Sequence, residues 1–498
     1  MIDRKSKTAE SDQAATMHKA HRDSFLETVE SLVVAFILAF VFRAYVVEAF
    51  VIPTGSMAPR LNGKHHEFVC ANCGYPYRVG LDDGKSRPGA VAWQCPLCGD
   101  TGVTRPRSDQ FFGDRILVLK YYYDFFPPER WDVIVFKFPG DTSQNYIKRL
   151  IGLPGEKLEL RGGDVYIDNH IARKPDRAQD ALWMPVGDTD YWDWKNGAHW
   201  RPEPSASGAW QHSSMPITFQ PHGDGVSYLA YHHLGPGGRE VPIKDFYAYD
   251  NPVGTSNRLD NHQIVTDVRL VADLEVTRAP SEGTVELVLE ACADTFRFVL
   301  PVEGSGQTAR ILHNGVVVAK EGGGAIPVGR TVRVEAANVD RKLVVKVNNR
   351  RVISQAGVTG FDAWGDVTYE PAVPRKRWLA SHGPQGASRI KIGAAAIDLT
   401  IHRLRVDRDI HYTSVPPPRR GGGFGITGSP YELHDDEFFV LGDNSPRSQD
   451  SRWWNQSPVV PRRNLVGKAF LVYWPAAGRR YGIPLPVAPD VAGFRFIR

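Results

Sequence analysis

The chain has 498 residues, room for roughly two to four domains at about 100 to 200 residues each. With 60 Lys plus Arg against 56 Asp plus Glu, the net charge is +4, which lacks the basic footprint of a nucleic-acid binder and removes nucleic acid from the expected partners. Hydrophobic residues at 42% and charged residues at 23% exclude wholesale disorder and a polytopic membrane bundle, while Gly 47 and Pro 36 favour turns and short strands, hence a mainly β fold.

The first distinctive element is an apolar run from Ser31 to Phe42 that carries no charge and continues past Arg43 to Val47. An uncharged run of this length also suits a core helix or a signal-peptide core. The residues that follow, Arg43-Ala44-Tyr45-Val46-Val47-Glu48, do not form a small-residue cleavage site. Counted as residues 24–47, with Glu27 and Glu30 at one interface and Arg43 snorkelling at the other, the segment is expected to be a transmembrane helix. Arg4, Lys5, Lys7, Lys19 and Arg22 precede it. By the positive-inside rule they keep a cytoplasmic tail, residues 1–23, on the inner side and place the remainder outside.

Next comes Phe50-Val51-Ile52-Pro53-Thr54-Gly55-Ser56-Met57-Ala58-Pro59, an extended apolar lead into a turn that presents Ser56. Cys70-Ala71-Asn72-Cys73 and Cys95-Pro96-Leu97-Cys98 follow, each pair trailed by a glycine. Two CxxC pairs at this spacing read as a closed, structural zinc site of the ribbon type, with Cys70, Cys73, Cys95 and Cys98 as ligands. Disulfides are the alternative, favoured by an extracytoplasmic location, although a CxxC disulfide belongs to a thioredoxin-like setting that is absent here. Gly113-Asp114-Arg115 opens another apolar strand, and Asn145-Tyr146-Ile147-Lys148-Arg149-Leu150-Ile151 sets a lysine within an alternating one.

Between about Pro175 and Thr413 the pattern is that of many short strands, as in a sandwich. Val285, Leu287 and Leu289 face one way and Glu286 and Glu290 the other, and Phe296, Phe298 and Leu300 repeat the alternation. Val332 to Arg341 and Leu343 to Val347 read as a hairpin. The closing strands resemble those of concanavalin-like or laminin-G-like jelly rolls. Trp183, Trp192, Trp194, Trp200 and Trp210 crowd together; aromatic residues of this kind stack on sugars or, more often, fill cores. Asp260, Asn261 and His262 are compatible with a cation or catalytic site in the sandwich, but isolated polar residues in loops usually cap turns, and no second active site is expected. A Pro/Gly stretch, residues 414–429, reads as a linker. Then Phe438 to Leu441 lead into Gly442-Asp443-Asn444-Ser445-Pro446-Arg447-Ser448-Gln449-Asp450-Ser451-Arg452, a polar loop after a buried strand.

In order and spacing, the Ser56, Gly113, Lys148 and Gly442 segments closely resemble the motif boxes of bacterial type I signal peptidases, the membrane-anchored serine-lysine proteases. The resemblance covers about 190 residues. It divides the chain into a discontinuous peptidase core (48–69, 111–174 and 430–485), a zinc-ribbon-like insertion (70–110), a β-sandwich insertion (175–413) and a C-terminal tail (486–498). It implies that Ser56 is the nucleophile, Lys148 the general base and Ser448 a hydroxyl that orients the amine. The oxyanion hole would combine the Ser56 N–H with the Thr54 hydroxyl, and Arg149, Asp443, Asp450 and Arg452 would form supporting ion pairs. Ser445-Pro446-Arg447 departs from the family, in which an arginine commonly follows Gly-Asp-Asn. A lysine of ordinary pKa near 10.4 is protonated at pH 7 and must be buried to act as a base; Tyr146, Ile147, Leu150 and Ile151 are expected to supply the pocket.

An extended substrate is expected to add as a strand beside Val51, Ile52 and Pro53 and beside Asn145, Tyr146 and Ile147. The implied partners are signal-peptide-bearing preproteins, membrane lipid and the secretion translocon. The implied location is the cytoplasmic membrane, spanned once, with the catalytic part outside. No cofactor is expected for catalysis. The rival reading is a membrane-anchored glycan- or protein-binding protein on a protease-like scaffold.

Overall fold

The computed structural model describes residues 27–41, 45–81, 92–101, 111–191, 199–204, 208–223, 225–250, 252–253, 263–279, 282–321, 323–352, 367–368, 371–383, 386–416, 422–455, 457–474 and 494–498. Residues 27–41 are helical, a length of about 22 Å at ~1.5 Å per residue. Leu32, Val33, Val34, Phe36, Ile37, Leu38 and Phe40 are each at least half exposed. Among the described residues no helix is long and apolar enough to cross a membrane. The expected span 24–47 includes residues outside the described set, as does the basic tail before it. Its far end is corrected, because Val47 already opens a strand.

The first strands are β1 (Val47–Val51), β2 (His65–Val69), β3 (Pro76–Gly80), β4 (Ala92–Trp93), β5 (Arg115–Leu119), β6 (Val133–Phe138), β7 (Asp141–Gly152), β8 (Lys157–Arg161) and β9 (Asp164–Ile167). One sheet gathers the separated motif segments. Its order is β1, β5, Leu465–Trp474, β6, β7, Glu437–Leu441, Val460–Pro461. β8 and β9 pair in a smaller sheet with Tyr431–Glu432. The expected C-terminal tail also contributes: Arg495–Phe496 pairs with Leu465–Trp474, so this part is a strand of the core. Residues 422–429, expected as linker, pack on the core as well. The Gly425 carbonyl accepts the Leu160 N–H, and Thr427 donates to the Leu160 carbonyl.

Among the described residues, the long central segment folds as two sheets of nine and seven strands. Val268–Arg278 lies between Asp398–Arg408 and Thr331–Val339 in the first; Thr284–Ala291 lies between Ser388–Ala395 and Asp294–Pro301 in the second. Alternation decides what they bury. Val268, Leu270 and Leu274 from one sheet share a core with Val285, Leu287, Leu289, Phe296, Phe298 and Leu300 from the other. Asp340 and Arg341, both at positive φ, turn the hairpin between Thr331–Val339 and Lys342–Val347, a backbone twist that suits tight two-residue hairpins. Trp183, Trp200 and Trp210 are buried and so fill cores instead of forming a sugar platform. Trp192, Trp194, Asp260, Asn261 and His262 lie outside the described residues.

A buried ionic cluster joins the sandwich to the core where the chain leaves and returns. Lys174 Nζ lies 2.6 Å from Asp340 and 2.9 Å from Asp409, and the carboxylates of Asp164, Asp267 and Asp340 lie within 4.8 Å of one another. Burial pushes Asp409 up to about 6, with Lys174 opposing it. Removing the cation that binds Asp340 and Asp409 directly leaves buried charge uncompensated. Lys174→Met is therefore expected to lower stability by about 3 to 5 kcal/mol at neutral pH. Because folding raises the Asp409 pKa to about 6 and loss of the lysine raises it further, the part of that loss due to Asp409 shrinks as pH falls toward about 6, where the carboxyl is protonated. Thermal unfolding of both proteins from pH 5 to 8 checks the sign; an equal deficit at every pH contradicts it.

Candidate active site

Ser56 and Lys148 are 92 positions apart in the chain and meet in the structure. Lys148 Nζ donates to Ser56 Oγ at 2.8 Å and to the Ile147 carbonyl at 3.0 Å. Two tight steric constraints set the serine. Gly113 allows the Ile52 carbonyl to pass where a Cβ would stand 1.6 Å away. Gly442 allows the Ser56 carbonyl and Ser448 Oγ to approach within 2.4 and 2.3 Å of the position a Cβ would take. The backbone then closes on itself: the Ile52 N–H donates to the Asp114 carbonyl, the Ala58 N–H to the Gly55 carbonyl and the Asn444 N–H to the Ser56 carbonyl. Thr54, two residues before the serine, is exposed.

Lys148 sits on β7 opposite Ile134 of β6 and is 4% exposed. Burial lowers its pKa to about 8, while Asp450 and Asp443 pull it upward and Arg452 pushes it down. Desolvation wins because both carboxylates are already engaged. Arg149 binds Asp443 through Nε at 2.8 Å and Nη2 at 2.7 Å, and Arg452 binds Asp450 through Nε at 2.9 Å and Nη2 at 2.7 Å. An unpaired carboxylate this near would restore the charged amine. The change from 10.5 corresponds to about 3 kcal/mol against the ammonium.

The pocket differs from the expected one. Tyr146 lies 5.4 Å from Nζ, but Ile147 joins the core of Ile52 and Met57, Leu150 that of Phe136 and Trp454, and Ile151 a third. Alternation and a register shift spread these neighbours over different faces. Ser448 is buried, yet its hydroxyl has no hydrogen-bond partner among the described residues. The expected orienting bond to Lys148 is therefore not made, since the amine is bound to Ser56 and the Ile147 carbonyl. At the departure from the family pattern, Ser445 Oγ accepts from Arg452 Nη1 and from the Thr413 N–H, each at 2.8 Å.

The two expected substrate edges are unequal. β7 pairs with β6 at Asn145, Tyr146 and Ile147, and Glu437–Leu441 takes its other edge only from Arg149 onward. Among the described residues that edge is open beside the lysine. On the other side only Val51 belongs to edge strand β1. Ile52 and Pro53 are corrected: the Ile52 N–H is bound to Asp114, the Pro53 carbonyl accepts from Lys64 at 3.4 Å, and proline has no N–H.

The four expected metal ligands cluster beside the β2–β3 hairpin. Cys70 Sγ lies 3.5 Å from Cys98 Sγ and Cys73 Sγ 3.7 Å from Cys95 Sγ. All four are free thiols, and a disulfide would need about 2.05 Å. A tetrahedron with Zn–S bonds of about 2.3 Å has edges near 3.8 Å, so the donor set fits zinc. Gly74 and Gly99, at φ 77° and 68°, turn each knuckle, where their N–H groups bond back to Cys70 and Cys95.

Residues that sequence reasoning left without a role complete the site. Asn444 Nδ2 donates to the Gly55 carbonyl at 3.0 Å and to Asp250 Oδ1 at 2.7 Å, and Tyr247 donates to the Asp443 carbonyl at 3.0 Å. Asn444 stood within a noted motif, whereas Tyr247 and Asp250 lie in the sandwich segment, where no sequence pattern marks them.

Residues 107–195 and 412–474 match the family model described as signal peptidase, peptidase S26. Lys148, Arg149, Asp443, Ser448, Asp450 and Arg452 fall inside the match and Ser56 precedes it. A signal peptidase I of Rickettsia bellii is 28% identical over 155 residues, 31% of this chain and 43% of that protein. A probable signal peptidase I-1 of Synechocystis is 38% identical over 88 residues, 15% of this chain and 45% of that protein. The chain thus spans less than half the length of these relatives. Among solved structures, a carbohydrate binding module from Bacillus subtilis has a TM-score of 0.24 at 10% identity, covering 41% of this chain and 92% of that one.

Gly442→Ala is expected to drive apart the Ser56 carbonyl and Ser448, with the Cβ meeting both below 2.5 Å. A displacement of about 1 Å at a reacting group can cost ~10²-fold in rate. A loss in kcat of that order, with the fold retained by circular dichroism, is the expected result.

Proposed function

We propose that this chain is a membrane-bound serine endopeptidase that removes signal peptides from exported preproteins. The observation that carries the reading is the buried contact of 2.8 Å between Lys148 Nζ and Ser56 Oγ, together with the family match around the lysine. In this mechanism the neutral Lys148 amine takes the Ser56 proton as Oγ attacks the peptide carbonyl. The Ser56 N–H and the Thr54 hydroxyl face the developing oxyanion. The protonated amine then returns its proton to the leaving amine, and water, deprotonated by the same lysine, releases the acyl group. Substrate adds as a strand along the open β7 edge, with Val51 on the opposite side.

The exposed apolar side chains of residues 27–41 favour burial in lipid, which would hold the site near the membrane face where signal peptides emerge. The basic residues before them favour a cytoplasmic N-terminus and an extracytoplasmic site. Four thiols at tetrahedral spacing favour one structural zinc per chain; with four protein ligands it would leave no open position for chemistry.

Detergent-solubilised protein incubated with a preprotein is expected to release the mature chain, and both Ser56→Ala and Lys148→Ala to abolish release. Cleavage that persists in both variants rejects the dyad. Because the base must be neutral, kcat/KM is expected to rise about tenfold per pH unit below about 8 and to level off above it. Zinc chelation is expected to remove one equivalent of metal and expose the hairpin of residues 65–80 to proteolysis, whereas two disulfides by thiol counting would exclude the metal.

A further inference from the structure

The sandwich insertion reaches the nucleophile through one short segment. Tyr247 donates to the Asp443 carbonyl at 3.0 Å and Tyr249 to the Lys64 carbonyl at 3.1 Å. The Tyr249 ring lies between two glycines, so that a Cβ on either Gly55 or Gly80 would stand 2.1 Å from its Cε1. Asp250 receives Asn444 Nδ2 on Oδ1 at 2.7 Å, and its carbonyl receives Arg447 Nη2. Just beyond it, Pro252–Val253 pairs with β4 of the cysteine segment, and Ala248 packs against the cysteine core. A strut therefore runs from the four cysteines through residues 248–250 to the serine loop.

The geometry of a single peptide unit makes this strut relevant to catalysis. The Gly55 carbonyl and the Ser56 N–H are opposite ends of one planar amide, so fixing the carbonyl aims the N–H. That carbonyl is held by the Ala58 N–H at 3.0 Å and by Asn444 Nδ2 at 3.0 Å. The same Nδ2 is held from behind by Asp250, and the Asn444 N–H grips the Ser56 carbonyl at 3.1 Å. Without Asp250, rotation of the Asn444 carboxamide is opposed from one side only.

We propose that Asp250, carried by the sandwich insertion, is a positioning residue for the nucleophile: through Asn444 it fixes the Gly55–Ser56 peptide and hence the N–H that meets the oxyanion. This rests on the peptidase reading above, and it makes the insertion a working part of the active site. Asp250 touches no reacting atom, so its effect belongs in the transition state and not in ground-state binding.

The test compares wild type, Ser56→Ala, Asp250→Ala and Asp250→Asn on a synthetic signal-sequence peptide with a small-x-small site. Asp250→Ala is expected to lose about 10- to 100-fold in kcat with KM and the pH midpoint unchanged, because Lys148 is untouched. Asp250→Asn keeps an acceptor oxygen for Asn444 and is expected to recover most of the rate. Amide hydrogen exchange supplies a readout that needs no activity: in Asp250→Ala, residues 54–58 exchange faster while the sandwich strands do not. Wild type that cleaves no better than Ser56→Ala defeats the peptidase reading, and the exchange result then still decides the positioning claim. The proposal is overturned if Asp250→Ala stays within twofold of wild type, if Asp250→Asn falls as far as the alanine variant, or if exchange at residues 54–58 is unchanged.

Discussion

The site depends on keeping one amine out of water. Lys148 loses its proton near pH 8, well below the ordinary lysine range, because burial penalises its charged form more than two nearby aspartates favour it. This balance holds only while those aspartates are themselves neutralised. Arg149 and Arg452 do so as two forked ion pairs, each wholly buried; Arg149 also donates to the Trp131 and Arg498 carbonyls, and Arg452 to the Thr413 and Ser445 carbonyls and the Ser445 hydroxyl. A buried ion pair adds little net stability. Here its effect is electrostatic, since it removes the counter-charge that would otherwise keep the lysine protonated.

Close backbone approach is the second requirement, and glycine meets it at each crossing. Gly113 lets β1 end against the strand that follows it, and Gly442 lets the serine turn meet the polar loop. Gly55 makes room for a tyrosine supplied by the sandwich. Segments that are remote in sequence are thus locked by sterics before any hydrogen bond is counted. The long central segment then appears less as an independent appendage than as a buttress. Lys174 pins its two crossings, and the strand pairing at Pro252–Val253 ties it to the cysteine knuckles.

Much of this was legible in the chain. Alternation at Val285 to Leu300 marked strands that do bury those faces, and CxxC spacing marked thiols that do converge. Motif order brought Ser56 and Lys148 into one hypothesis, and the two lie in contact. Other readings failed for local reasons. Ile52 and Pro53 were expected beside substrate, but the Ile52 N–H and the Pro53 carbonyl are bound within the chain. Ser448 was expected to hold the amine, which bonds Ser56 and Ile147 instead. The residues around Arg495 looked like a tail and pair as a strand.

The sequence by itself determined the chemical inventory: a serine after a Pro-Thr-Gly turn, a lysine in an apolar strand, four thiols in two knuckles, and the alternation of a sandwich. Periodicity and spacing encode these because they act over a few neighbouring residues. Only the tertiary structure decided that the lysine is buried beside paired carboxylates, that Asn444 carries the Gly55 carbonyl, and that Asp250 from the sandwich stands behind it. Those facts depend on contacts between residues about 200 positions or more apart, and no local pattern records which side chain will meet which.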